Sequence, residues 1–206
     1  GDVYRDSGRA RDARAAYDEA LRIAPQRAGV LLRRGRLLSD AFGLHDGALR
    51  DLDRALATGA DRYRLSVDRG VVLGRLGRSG DAIEEFTVAI GVQPENPQAY
   101  YDRGLTYLRS NRNAVARNDF SMAVRLDPAH AGAHIGLASV NLLEQDYDEA
   151  RAGFEHALSL DPGNVNARFN LGVALEFLGD AQGARPHFEQ ACADGHERAC
   201  RKAGSP

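Results

Sequence analysis

The sequence predicts an all-α solenoid of tandem helix-turn-helix units, and three observations lead there. Slid along itself by 34 residues, the chain lays Tyr100, Gly104, Tyr107, Ala116, Phe120, Ala123 and Pro128 on His134, Ala138, Asn141, Ala150, Phe154, Ala157 and Pro162. A second slide reaches Arg168, Gly172, Leu175, Ala184, Phe188 and Ala191. Alanines seven residues apart recur six times, at Ala13/Ala20, Ala48/Ala55, Ala82/Ala89, Ala116/Ala123, Ala150/Ala157 and Ala184/Ala191. Prolines close the second helical stretch at Pro25, Pro94, Pro128 and Pro162. Proline has no amide hydrogen and biases its predecessor away from helical geometry, so it stops a helix there. Each unit of such an array touches only its neighbours, and no compact central core is expected.

The period and its residue types resemble the tetratricopeptide repeat, a helix-turn-helix unit with small residues where helices cross. The resemblance implies a right-handed α-solenoid and covers Gly1 to about Arg198. In order, it divides the chain into a partial unit at 1–27, whose first helix is truncated, and full units at 28–62, 63–96, 97–130, 131–164 and 165–198. A short capping helix and tail occupy 199–206, the helix itself reading as His196 to Ala203 after Gly195. The 28–62 unit carries one extra residue in the turn around Phe42 to Asp46. Gly1 stands in mid-repeat, which suggests a piece of a longer protein with an open N-terminal face, and self-association through that face is an expectation.

Gly35, Gly70, Gly104 and Gly172 fall inside first helices, where glycine costs about 1 kcal/mol relative to alanine. Close approach of the second helix is the expected offset, with Ala138 the smallest tolerated alternative. Tyr17, Phe86, Phe120, Phe154 and Phe188 then fill the space between units.

Net charge is −2 with 27% charged residues, a mixed surface without the concentrated basic field that phosphate binding requires. Nucleic acid is therefore not an expected partner. No apolar run approaches the ~18 residues of a membrane span, and no signal-peptide pattern opens the chain. High Arg, Ala and Gly usage suggests a GC-rich bacterial source. His130 and His134 stand four apart, a metal-compatible spacing, but read as packing residues without a third ligand. Gly70 to Gly74 is glycine-rich yet lies within a helix in register. No nucleophile triad, paired-carboxylate site or nucleotide loop is found. Neither an enzyme, a cofactor nor a metal is expected in these residues.

What the resemblance implies for function is a concave groove made by first helices. Its lining would be Arg36, Arg64, Val67, Asp68, Arg75, Tyr101, Asp102, Leu105, Arg109, Ile135, Leu142, Asn166, Phe169, Asn170 and Val173. Spacings of three and four put those positions on one helical face. The front mixes arginine with aspartate and the back is largely apolar, which suits a protein or peptide segment with an acidic end and apolar anchors. The competing reading has arginines pairing with aspartates and apolar positions packing across units. No three consecutive units supply the Lys/Asn/Arg clamp that relatives use for chaperone tails. Only Asn170 matches the asparagine ladder of the O-linked N-acetylglucosamine transferase. The leading expectation is a non-catalytic interaction scaffold; the alternative is a substrate-recognition or targeting segment of a larger enzyme with its catalytic domain elsewhere.

Cys192 and Cys200 form a Cys-x7-Cys step after Ala191, with Gly195 between them. This resembles the disulfide staple of cysteine-rich relatives of these repeats in secreted bacterial proteins. The resemblance implies a bond and, through it, a periplasmic or envelope location rather than the cytoplasm. Two free buried thiols remain the alternative.

Overall fold

The computed structural model describes residues 7–204 and contains, among them, twelve α-helices and no strand. Gly1 and Tyr4, placed by the repeat register in the first unit, lie outside the described residues. The helices are α1 (Ser7–Ile23), α2 (Ala28–Phe42), α3 (His45–Ala57), α4 (Arg62–Arg75), α5 (Ser79–Val92) and α6 (Pro97–Arg109). They continue as α7 (Asn113–Leu126), α8 (Ala131–Leu143), α9 (Tyr147–Leu160), α10 (Val165–Phe177), α11 (Ala181–Ala193) and α12 (Glu197–Ala203). Even-numbered helices from α2 to α10 are the first helices of the repeats, and odd-numbered ones the second.

Local chemistry sets the helix ends. Asp61, His130, Asn164, Asp180 and His196 each accept a hydrogen bond from the backbone N–H three residues on, satisfying a first-turn amide that has no partner within the helix. Between the two helices of a hairpin the chain passes through the left-handed region, at Gly77 and Gly179 and also at Asn111 and Gln145 (φ 57° and 70°). Pro186 departs from the proline rule, standing exposed inside α11. Its ring removes one helical hydrogen bond, while Ala184, Phe188 and Ala191 of the same helix are buried and hold it in place.

The chain divides into two compact units, 1–106 and 107–206. In the first, α1 to α5 pack in succession around Leu21, Leu31, Leu38, Leu52, Leu65 and Val72. Two arginines at matching repeat positions bind the second helices on either side of them. Arg34 donates two hydrogen bonds to Asp51 at 2.7 Å and a third to Asp18 at 2.7 Å, so α2 is tied to both α3 and α1. Its side chain is 18% exposed and that of Asp51 only 4%. The Asp51 hydrogen bonds, aided by Asp18 and opposed by burial, push the Arg34 guanidinium still further above the usual arginine range. Arg69 repeats the arrangement one unit on, donating to Glu85 at 2.7 Å and to Asp53, which ties α4 to α5 and α3.

The second unit contains α7 to α12 and replaces that arginine with Leu137 and Leu171. Its core is Ala138, Ala150, Phe154, Ala167, Leu171, Leu175, Phe188 and Ala199, together with further alanines at the crossings. The small residues do what the repeat pattern requires. A Cβ on Gly172 would lie 2.7 Å from the Phe188 ring, and one on Gly70, in the first unit, 2.7 Å from Phe86. In the α8/α9 hairpin the roles are exchanged. Ala138 keeps its methyl group, and Gly153 on α9 gives way, since a Cβ there would approach that methyl to 2.8 Å. Phe120 of α7 meets Gly136 of α8, where an added Cβ would be 2.6 Å from the ring. Gly136 is thus a buried packing residue. Finally, α12 covers the last hairpin, with Ala199 fully buried and Cys192 joined to Cys200 across a Cα separation of 4.6 Å.

Candidate partner-binding face

The first-helix side of the first unit holds a charged basin. A cavity of about 290 Å³ is lined by side chains of α2, α4 and α6, among them Arg36, Asp40, Val67, Asp68, Arg75 and Asp102. Arg36 Nε lies 3.3 Å from Asp68, and Arg75 pairs with Asp40 while donating to Ser39 Oγ at 2.7 Å. Gln98 donates to both oxygens of Asp102 at 3.1 Å. Burial pushes the Asp68 carboxyl up to about 6; Arg36 and Arg64 oppose the shift and Asp40 adds to it. The competing reading of this face therefore holds for two of its arginines. Arg36 and Arg75, expected to receive acidic groups from a ligand, already hold carboxylates of their own chain. Arg64 is exposed on α4, and Tyr101 and Leu105 are partly buried on α6.

In the second unit the first-helix side is apolar. Ile135, Leu142, Phe169 and Val173 are partly buried and rest against the core, so each offers one face to solvent. Phe169 is the most engaged, its ring stacked on His196 at 4.2 Å and tilted against Phe188 at 5.8 Å. Position alone could not reveal that, because the partner belongs to the capping segment. Asn166 is exposed, Asn170 is partly buried one turn on, and Arg109 is exposed.

The histidines have structural tasks. The Nδ1 atom of His130 accepts the Ala133 N–H, while His134 meets the Pro128 carbonyl at 3.0 Å and packs edge-on against His156 at 4.5 Å. Among the described residues, no group of three His, Cys, Asp or Glu is arranged to hold a metal ion, and no helix is long and apolar enough to cross a membrane.

Two features escaped the reading of the sequence. The Arg34 and Arg69 ties were legible as an acid-arginine-acid spacing of 16 or 17 residues, running Asp18, Arg34, Asp51 and then Asp53, Arg69, Glu85. The other is an aromatic stack of Tyr147 on Phe177, with ring centroids 4.7 Å apart and planes 5° from parallel. Phe177 stands where the earlier units carry aspartate, arginine or leucine, and that substitution was the available signal.

Helical hairpins in series, small residues at each crossing and one side built by first helices define an all-α helical-repeat solenoid. Models of the tetratricopeptide repeat match residues 1–63, 40–100, 67–131 and 101–164, and a further one matches 141–199. The chain belongs to the tetratricopeptide repeat family and is a protein–protein interaction scaffold of that kind. Comparison with curated protein sequences gave no match. Among solved structures, PilW, described as a widely conserved type IV pilus biogenesis factor, is 21% identical with a TM-score of 0.81, covering 92% of this chain and 88% of its own. YrrB, described as having an unusual peptide-binding site, is 22% identical with a TM-score of 0.63, covering 90% of this chain and 96% of its own. MamA from Desulfovibrio magneticus RS-1 is 21% identical with a TM-score of 0.68, covering 81% and 94%. At these identities the likeness is one of fold.

Proposed function

We propose that the first-helix face binds a segment of a partner protein, extended or helical, and that the chain acts as a non-catalytic scaffold. One observation carries this reading. From α3 to α11 the crossing alanines of the second helices, such as Ala116, Ala123, Ala150 and Ala157, and Phe86, Phe120, Phe154 and Phe188 are buried, whereas Ile135, Leu142 and Val173 on first helices keep part of their apolar surface in water. Apolar side chains at helical spacing on such a face are suited to a complementary helix or strand. Asn166 and Asn170 stand one turn apart beside them and would hold the segment's backbone amides. In the first unit Tyr101 and Leu105 would add apolar contacts. Arg64 is the side chain proposed to receive a carboxylate there, since Arg36 and Arg75 are engaged by Asp68 and Asp40. The Cys192 to Cys200 bond supports an oxidising compartment such as the periplasm.

The test is capture from the source organism with wild type and Val173→Glu, followed by calorimetry on the recovered segment. Binding by wild type and a loss of about 2 kcal/mol or more in the variant is expected if Val173 is an anchor. Equal binding by both would remove the second unit's face from the interface.

A further inference from the structure

The 28–62 unit departs from the repeat frame where α2 turns into α3. It carries one residue more than the later units between its crossing glycine, Gly35, and Ala48. Gly43 takes the chain through the left-handed region there, and Leu44 follows it, 45% exposed. Beside this turn opens a cavity of about 670 Å³, against about 290 Å³ for the first-helix basin. Arg14 and Asp18 of α1 wall it together with residues 43–54 of the turn and α3, and Leu76 closes one side. Since α1 and α3 are second helices, and none of the residues assigned to the first-helix face lines the cavity, the two sites are separate.

Four arginines and three aspartates line it, and their pairing is uneven. Arg34 forks onto both oxygens of Asp51 and reaches Asp18, so these two carboxylates are already engaged. Arg14 holds its guanidinium 5.5 Å from the centre of the Phe42 ring. The carboxylate nearest to it among the described residues is Asp18, at 3.8 Å, which Arg34 already holds. Arg50 is exposed and, among the described residues, has neither an ion pair nor a side-chain hydrogen bond. The repeat frame accounts for neither arginine. Arg117, Arg151 and Arg185 stand where Arg14 does in later units, and each has a carboxylate of its own in Glu144, Asp148 and Glu189. The equivalents of Arg50 are Glu84, Asn118, Ala152 and Pro186. Asp46, exposed in the first turn of α3, is the one lining carboxylate outside the Arg34 tie.

We propose that this cavity binds a carboxylate, received by the guanidinium groups of Arg50 and Arg14, with the hydrocarbon stem that carries it resting on Leu44 and Leu76. A guanidinium matches a carboxylate bidentately, and such charge-assisted pairs are the strong ones. Phe42 holds Arg14 in place before the ligand arrives, which reduces the side-chain ordering that binding requires. Asp46 and Asp18 disfavour an anion of higher charge, and the two leucines favour a ligand with an aliphatic part over a bare phosphate. A free dicarboxylate and a glutamate side chain of another protein present the same group, and the probes below separate them.

The experiment is an NMR titration of the full 206-residue chain, following backbone amides and arginine side chains, with three probes: glutarate, inorganic phosphate and an end-blocked Gly/Ser peptide containing glutamate. Glutarate or the peptide is expected to shift Arg50, Gly43 and Gly47 saturably, with phosphate about tenfold weaker and all binding reduced as salt screens the site. A peptide that binds more tightly than glutarate assigns the carboxylate to a partner protein; the reverse order assigns it to a free dicarboxylate. Arg50→Gln, at an exposed position without a partner, should keep the wild-type unfolding temperature and lose about tenfold in affinity. Asp46→Asn should bind more tightly than wild type, and Arg185→Gln, whose arginine pairs within α11, should bind as wild type does. No saturable shift at these residues with either carboxylate would overturn the proposal, as would binding indifferent to Arg50→Gln or phosphate binding as tight as glutarate. Shifts confined to Arg64, Tyr101 and Leu105 would place the carboxylate on the first-helix face and likewise overturn it, while leaving the reading of that face intact.

Discussion

The two units solve one packing problem with different chemistry. In each, a first helix must be fixed against the second helices before and after it. The first unit does this with Arg34 and Arg69, each forked between carboxylates of both neighbours. The second unit puts Leu137 and Leu171 there and relies on apolar contact, with Leu171 3% exposed. The ionic solution gives direction and register but depends on every partner being present. The apolar solution tolerates loss of one contact and specifies less.

The sharpest way to test that contrast is Arg34→Met, which leaves the buried Asp51 with the more distant Arg54, at 3.8 Å. Stranding a buried charge costs about 3–5 kcal/mol, whereas replacing both members of such a pair is close to neutral. The double variant Arg34→Met/Asp51→Leu should therefore unfold in urea much nearer to wild type than Arg34→Met does. If the single and double variants unfold alike, the tie is incidental and the contrast between units fails.

Next in size is the cross-link. Cys192→Ser/Cys200→Ser should lose about 2–3 kcal/mol, with hydrogen exchange rising over α11 and α12 while α2 to α5 stay protected, because a repeat array passes perturbation only to neighbours. Exchange spreading evenly through both units would contradict that.

The crossings are the feature the units share, and Gly172→Ala and Gly70→Ala should each cost about 1–3 kcal/mol in thermal unfolding, since the new methyl meets a buried phenyl ring. Gly74→Ala is the control. Nothing lies within 4 Å of its Cβ site, and a gain of up to about 1 kcal/mol is expected.

Charge in the first unit also predicts a pH response. The folded state holds the Asp68 proton up to about pH 6, above the ordinary aspartate value of about 3.9. Protonated Asp68 thus favours the folded state, and its contribution is present below about pH 4 and lost as pH rises through about 6. Asp68→Asn should flatten the stability profile across that window and leave it unchanged at higher pH apart from a uniform offset. An unaltered slope would mean that Asp68 is better solvated than its burial suggests.

The smallest effect belongs to the turns. Gln145 occupies a left-handed conformation that the equivalent Gly179 adopts freely, so Gln145→Gly should raise stability by about 1 kcal/mol or less.

How much of this was legible beforehand follows from what each feature depends on. The hairpins were readable because Gly, Ala, Phe and Pro recur at fixed spacing, and a crossing that admits no Cβ permits few alternatives. Even the exchange of Ala138 with Gly153 was half visible, since alanine stood where glycine was expected. The chemistry of the faces was less so. Arg36 and Arg75 could be placed on the right side, but long flexible side chains choose partners by distance, and Asp68 and Asp40 became theirs only in three dimensions. Phe169 was placed on the first-helix side, yet its stacking on His196 depends on how the terminal helix folds back. The ties of Arg34 and Arg69 join residues on three different helices, and periodicity within one helix carries no sign of them.

The meeting of Phe120 with Gly136 bears on how such a chain can change over generations. Loss of 131–164, one period of 34 residues, would preserve the repeat phase and bring Asn170 to the place of Gly136. Phe120 would then stand where Phe154 stands now, in a joint before Asn170 of the kind that α9 and α10 already build. The position that follows the ring is glycine after Phe120 and asparagine after Phe154, so the same ring is received by different neighbours at successive joints. In-frame recombination that recreates a border already present in the chain is therefore the change such an array absorbs most readily, while Gly136 records how closely one border has been fitted.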